Sequence, residues 1–166
     1  MTDQLLLVSV GNTRTRFALV RDGQLEPSRV EPNGDIGALA RAVIAPRGEP
    51  DSPDEPGELP PILVASVNPP VAEALMRALR EGGRNVSRLG MGKGDLPIPI
   101  DHMLEDGSTV GADRLLDALG AFSRAKAACV VIDAGTAITV DFVDGEGTFH
   151  GGAIGPGIRM MCEALH

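Results

Sequence analysis

The sequence predicts an α/β protein made of two similar halves, and three observations lead there. Short apolar runs end abruptly at glycine turns near both ends of the chain. Stretches with helical spacing lie between them. The same pattern, three successive strands whose first turn carries Gly and Thr, occurs at Leu5–Val30 and again at Cys129–Ile154. A duplication of this kind predicts two α/β halves facing across a cleft. The expected division is residues 1–109 and 110–166, with the second half stopping soon after its third strand.

In the first half, Leu5–Val10 is a nearly continuous apolar run that stops at Gly11-Asn12-Thr13, as a buried strand entering a tight turn does. Arg16–Val20 is the expected return strand, Asp22-Gly23 the next turn, and Gln24–Val30 a third strand. From Asp35, a plausible N-cap, Ile36, Leu39, Ala40, Val43 and Ile44 form a helical stripe. Pro46–Pro61 holds six Pro, two Gly and five acidic residues, which predicts a solvated loop. Ile62–Val67 predicts a buried strand. A helix beginning at Pro70 uses Val71, Ala74, Leu75, Ala78 and Leu79 as its inner face and ends at Gly82-Gly83.

Met91–Pro99 reads as a Gly/Pro-rich connection, and Val110–Phe122 as a helix with Val110, Leu115, Leu119 and Phe122 inward. Strands are expected at Cys129–Asp133, Ile138–Val143 and Thr148–Ile154, joined by turns at Asp133–Thr136 and Asp144–Gly147.

Composition narrows the function. Aromatic residues make up 2%, four Phe with no Trp or Tyr, so base stacking has few platforms. The formal net charge of −8 opposes binding of a polyanion across a broad basic surface, although a few local donors can still hold a small phosphorylated ligand. No nucleic-acid partner is expected. Cys129 and Cys162 lack metal-ligand spacing, and Cys129 at the head of an apolar strand reads as a buried free thiol. The histidines, His102, His150 and His166, have no partner spacing, and Lys93 reads as a loop cation. With no secretory pattern and no apolar run of about 18 residues, a cytoplasmic location and no membrane contact are expected.

The chemistry-bearing residues sit at the turns. In Asp133-Ala134-Gly135-Thr136 a strand ends in a glycine that lets a phosphate approach backbone N–H groups. Thr136 adds a hydroxyl donor, and a carboxylate alongside can hold a cation. A plain hairpin turn is the alternative, but the matching Gly11-Asn12-Thr13 argues for two turns gripping a polyphosphate. Gly151–Gly157 is read as a third glycine-dense turn, suited to a flat nucleoside or a phosphate, or else a strand-to-helix corner. In Gly111-Ala112-Asp113-Arg114, near a helix start, adjacent Asp and Arg suit a general base beside an anion clamp. An exposed ion pair is the alternative there.

The order Val10-Gly11-Asn12-Thr13, Gly111-Ala112-Asp113-Arg114, Asp133–Ala137 and Gly151–Gly157 resembles the type III pantothenate kinase family, which includes the Bvg accessory factor homologues. The resemblance implies an actin-like, ribonuclease H-like fold and transfer of the ATP γ-phosphate to pantothenate, the first step of coenzyme A biosynthesis. It implies Mg²⁺, a monovalent cation (K⁺ or NH₄⁺) and a homodimer. By position, Asp113 would be the base, and Gly111, Ala112, Asp113 and Arg114 would meet pantothenate. Asp133 would hold the monovalent cation, Gly135 and Thr136 the phosphates, and Ser9, Gly11, Asn12, Thr13 and Arg16 the other phosphate turn.

The sequence departs from the family at three positions. Ser9 stands where the family motif D-x-G-N-T begins with Asp, Arg16 where Lys is usual, and Gly107 where Pro is frequent. Family members also run on for roughly another half domain. A relative impaired in turnover, serving as a nucleotide- or pantothenate-binding or accessory regulatory protein, is the competing reading.

Overall fold

A computed structural model describes residues 4–45 and 59–165. The described chain forms two compact units, Met1–Gly90 and Met91–His166. Most of the Pro-rich stretch, and His166, lie outside the described residues. The units part after Gly90, before the motif-based division at residue 109, because the intervening segment bonds within the second unit. Phe149 donates its N–H to Asp101 O (2.8 Å) and accepts from Met103 N (2.9 Å).

In the first unit, β1 (Gln4–Val10) pairs antiparallel with β2 (Arg14–Arg21). Two short strands, β3 (Gln24–Leu25) and β4 (Arg29–Pro32), also pair with β2. The single strand expected over Gln24–Val30 is therefore broken. Pro27 lies in the gap and has no N–H for a ladder. Helix α1 (Ile36–Ile44) follows, then β5 (Ile62–Ser66), parallel to β1, α2 (Pro69–Glu81), and β6 (Val86–Gly90), parallel to β5. Sequence reasoning left β6 unassigned, since Arg84-Asn85-Val86-Ser87-Arg88 interrupts any apolar run.

Alternation decides the faces. Leu6, Val8 and Val10 of β1, Phe17 and Leu19 of β2, Ile62 and Val64 of β5 and Val86 of β6 form one core with Leu39 and Val43 of α1 and Leu75 and Leu79 of α2. Ser9 and Arg16, on the other face, are exposed. Asp35 caps α1 by accepting from Ala38 N at 2.9 Å, an interaction worth about 1 kcal/mol. Asn68 caps α2, which starts one residue before the expected Pro70. That helix stops at Gly82, followed by Gly83 at φ +76°, a conformation glycine adopts without penalty.

The second unit begins with β7 (Leu96–Pro97) and a 3₁₀ turn (Gly107–Thr109), then α3 (Ala112–Ala125). Strands β8 (Cys129–Ala134), β9 (Ala137–Val143) and β10 (Phe149–Pro156) form an antiparallel sheet ordered β10-β9-β8, and α4 (Ile158–Ala164) ends the described chain. Helix α3 starts two residues later than expected and buries Ala112, Leu115 and Ala118.

Two expectations change here. Gly151–Pro156 is not a turn but part of β10, and Gly152, with Gly157 just after the strand, makes room for the protein's own backbone. A Cβ on Gly152 would lie 1.9 Å from Val140 O, and one on Gly157 would lie 2.4 Å from both Gly135 O and Thr136 O. Gly151, at φ +85°, sits at a register shift in the β9–β10 ladder. Cys129 is only half-buried; it and the exposed Cys162 are free thiols.

Candidate active site

Each unit carries one part of the expected site. In the first, the Gly11-Asn12-Thr13 turn joins β1 to β2, with Gly11 N bonded to Arg14 O at 3.0 Å. A Cβ on Gly11 would sit 3.0 Å from that same oxygen, so the turn is tight for any other residue. Its carbonyls are all engaged. Gly11 O accepts from Asn33 Nδ2 (2.8 Å), Asn12 O from Asn68 Nδ2 (3.2 Å), and Thr13 O from Asn33 N (3.1 Å). Buried Thr15 donates its hydroxyl to Asn33 Oδ1 at 2.8 Å, which fixes the orientation of the Asn33 amide.

Among the described residues, the N–H groups of Asn12 and Thr13 have no acceptor. A loop whose carbonyls are tied back while its amides stay open presents positive ends of peptide dipoles, the arrangement that takes an anion. Ser9 and Arg16 are direct cross-strand partners on the exposed face beside this turn. Among the described residues Arg16 forms no ion pair, so its guanidinium charge is uncompensated there.

In the second unit, α3 and the sheet bring acidic residues together. Gly111 is the N-cap of α3, and Ala112 is buried at its first position. Asp113, in the exposed first turn, accepts from Arg114 N at 2.8 Å. A carboxylate in a first turn is also favoured by the helix dipole. Arg114 reaches across to Asp141 of β9, donating Nε at 3.1 and 3.0 Å to the two carboxylate oxygens and Nη2 to Oδ1. The hydrogen bond to Asp141 raises the Arg114 pKa, against the opposing effect of burial. Asp141 is nearly fully buried, with a side chain 2% exposed.

Asp117, one turn beyond Asp113, is pushed above the ordinary carboxylate range. Partial burial is the main cause, followed by the charges of Asp133, Asp113 and Asp141. Asp133 of β8 precedes the turn in which Gly135 N bonds Ala137 O (2.9 Å) and Thr136 O accepts from Gly157 N (2.9 Å). Thr136 is exposed, and its N–H has no acceptor among the described residues. Asp113, Asp133 and Arg114 thus share one unit and one electrostatic neighbourhood.

Among the described residues, no group of three or more His, Cys, Asp or Glu gathers as a metal site. A divalent ion caged by protein alone does not fit. An ion held mainly by phosphate oxygens, with one or two carboxylates added, does. His150, on β10, bonds Asp144 of the β9–β10 turn at 2.7 Å.

Sequence reasoning missed Thr15, Asn33, Asn68 and Asp141. An Asn following a strand (Asn33) and one just before Pro69 (Asn68) were available signals. The others were hidden in apolar alternation.

The type III pantothenate kinase family model matches residues 5–166. Among curated relatives, the type III pantothenate kinase of Anaeromyxobacter sp. (strain K) is 36% identical over 97% of this chain and 63% of its own length. That of Rhodospirillum rubrum is 35% identical over 98% and 63%. That of Rhodopirellula baltica is 47% identical over 63% of this chain and 38% of its own. The chain therefore spans a little under two thirds of the relatives it matches along its whole length.

Among solved structures, a protein from Campylobacter jejuni described as a Baf family transcriptional activator superimposes with TM-score 0.55 at 22% identity, covering 97% of this chain and 60% of that one. The Aquifex aeolicus PPX-GPPA enzyme does so with TM-score 0.50 at 14% identity, over 99% and 56%. These likenesses establish the fold as actin-like α/β, an incomplete form of a duplicated architecture. No helix among the described residues is long and apolar enough to cross a membrane. By sequence along nearly its whole length, and by fold, the chain belongs to the type III pantothenate kinase family.

Proposed function

We propose that this protein phosphorylates pantothenate with ATP, giving 4′-phosphopantothenate in the first step of coenzyme A biosynthesis. The observation that carries the reading is the grouping of Asp113, Asp133 and Arg114 in one unit, in the order of the motifs that carry the resemblance. In the proposed reaction the primary hydroxyl oxygen of pantothenate bonds to the γ-phosphorus as the β–γ bridging bond breaks. ADP leaves and the hydroxyl proton passes to Asp113. A weakly basic carboxylate is adequate for this step, since positioning and charge neutralisation dominate phosphoryl transfer.

The remaining roles follow position. Gly111 and Ala112 shape the backbone beside pantothenate, and Arg114 binds it. Asp133 contributes to a K⁺ or NH₄⁺ site, Gly135 leaves room for phosphate because it has no side chain, and Thr136 donates to it. Asn12 and Thr13 offer their open amides to phosphate, Gly11 holds the turn tight, and Ser9 and Arg16 lie beside them. Mg²⁺ bound with the nucleotide neutralises phosphate charge. We also propose a cytoplasmic homodimer.

One observation favours a second reading, binding without turnover. At position 9 a neutral hydroxyl replaces the family carboxylate and leaves Arg16 without a cross-strand acid. The test is production of 4′-phosphopantothenate from ATP and pantothenate, with K⁺ present or absent. Potassium-dependent product supports kinase activity. Calorimetric binding of both compounds without product supports the second reading, and neither product nor binding contradicts both.

A further inference from the structure

Arg114 is committed on one edge and open on the other. Its Nε and Nη2 face the two oxygens of Asp141, while Nη1 has no hydrogen-bond partner among the described residues. The Arg114 side chain is 16% exposed and that of Asp141 only 2%. The carboxylate is therefore out of reach of a ligand, whereas the Arg114 side chain keeps some open surface.

Gly152 makes this seating possible. Any Cβ there would lie 2.7 Å from Asp141 Oδ1 and 1.9 Å from Val140 O. A planar guanidinium locked along one edge holds its other edge in a fixed plane, and that edge matches the oxygens of a carboxylate.

We propose that Asp141, seated by Gly152, is the positioning residue for Arg114, leaving the Nη1/Nη2 edge to select the carboxylate of the acid substrate. The inference rests on the functional reading above and adds to it the residue that sets acid selectivity. The competing role is a purely structural tie between α3 and β9. Such a tie would affect every substrate alike.

The experiment compares pantothenate with its neutral alcohol analogue, in which CH₂OH replaces the carboxylate, by steady-state kinetics and by calorimetry. In Asp141→Asn the KM for pantothenate is expected to rise by about tenfold or more while the KM for the alcohol stays within about twofold. Equal changes for both overturn the proposal. If Asp141→Asn does not fold, Arg114→Lys serves, because it keeps a charge for Asp141 but loses the second planar edge. It should show the same selective loss, and unchanged selectivity overturns the proposal. A parent that binds neither compound overturns the functional reading and this inference together. A parent that binds both equally overturns the inference alone.

Discussion

The Gly11-Asn12-Thr13 turn and the Ala134-Gly135-Thr136 turn end matching strand pairs, yet they are held by different means. The first is braced by neutral hydrogen bonds from Asn33 and Asn68 to its carbonyls, and Asn33 is fixed by buried Thr15. It stands on a sheet whose helix-facing side is closed over by α1 and α2. The second has no side-chain brace among the described residues. It is steadied by Gly157, whose N–H reaches Thr136 O, and it adjoins charges organised around the Arg114–Asp141 pair. Val130, Ile132, Val140 and Phe142 of its sheet remain exposed. The lesson is a division of labour. In the proposed reaction the first turn would serve as an anion cradle of backbone amides, and the second unit would supply the charges that chemistry on a hydroxyl needs.

The comparison breaks most readily at Asp113. Asp113→Asn should lower kcat by about a hundredfold or more with little change in stability, because the residue is exposed and, among the described residues, is hydrogen-bonded only to its neighbour's N–H. A melting curve alongside the rate separates the two effects, and a rate equal to the parent's removes Asp113 as the base.

Next in size is Gly152→Ala. Its Cβ has no room, so the second unit should lose about 1–3 kcal/mol or more in denaturant unfolding. Gly145→Ala, where nothing lies within 4 Å, is the matched control and should stay within about 0.5 kcal/mol. Equal losses would mean that close backbone approach is not what Gly152 provides.

Asn33→Ala removes two side-chain hydrogen bonds under the first turn, a loss of about 1–3 kcal/mol. Its kinetic effect should fall on the KM for ATP and leave the KM for pantothenate unchanged. An effect on pantothenate alone would contradict the division between the two turns.

The smallest expected effects are electrostatic. Asp117 has a raised folded-state pKa, so its contribution is most favourable when protonated. That contribution is lost as pH rises from the ordinary carboxylate value through the raised one. Asp117→Asn should therefore raise the melting temperature at pH 7 and leave it unchanged at pH 3. Asp144 behaves oppositely. Its hydrogen bond to His150, and those from Thr148 and Glu146 N–H, lower its pKa to about 2. Its stabilisation is present above the ordinary carboxylate value and fades as pH falls towards about 2. Asp144→Asn should blunt that acid loss, and an unchanged acid limb in thermal melts would refute it.

Much of this arrangement was legible in the sequence. Apolar alternation in Leu5–Val10 and the helical stripe at Leu39, Ala40 and Val43 reported burial directly. The glycine turns located the ends of β1 and β8. Other features lay beyond local pattern. Pro27 splits a strand that hydropathy reads as continuous. Asp141 sits inside Thr139-Val140-Asp141-Phe142-Val143, where alternation places it inward but only the fold shows Arg114, 27 residues earlier, as its partner. The Asn33 and Asn68 braces span 22 and 56 residues to the carbonyls they hold, distances over which sequence carries no hydrogen-bond geometry. The glycines of Gly151–Gly157 were visible, but their reason was not. Two of them make room for the protein's own backbone rather than for a nucleotide.

The central claim is that these two turns serve transfer from ATP to pantothenate. Mass spectrometry of a reaction containing the protein, ATP, Mg²⁺, K⁺ and pantothenate tests it most directly. The account predicts 4′-phosphopantothenate with matching ADP, lost in Asp113→Asn. ADP without phosphopantothenate, or phosphopantothenate undiminished in Asp113→Asn, would contradict it.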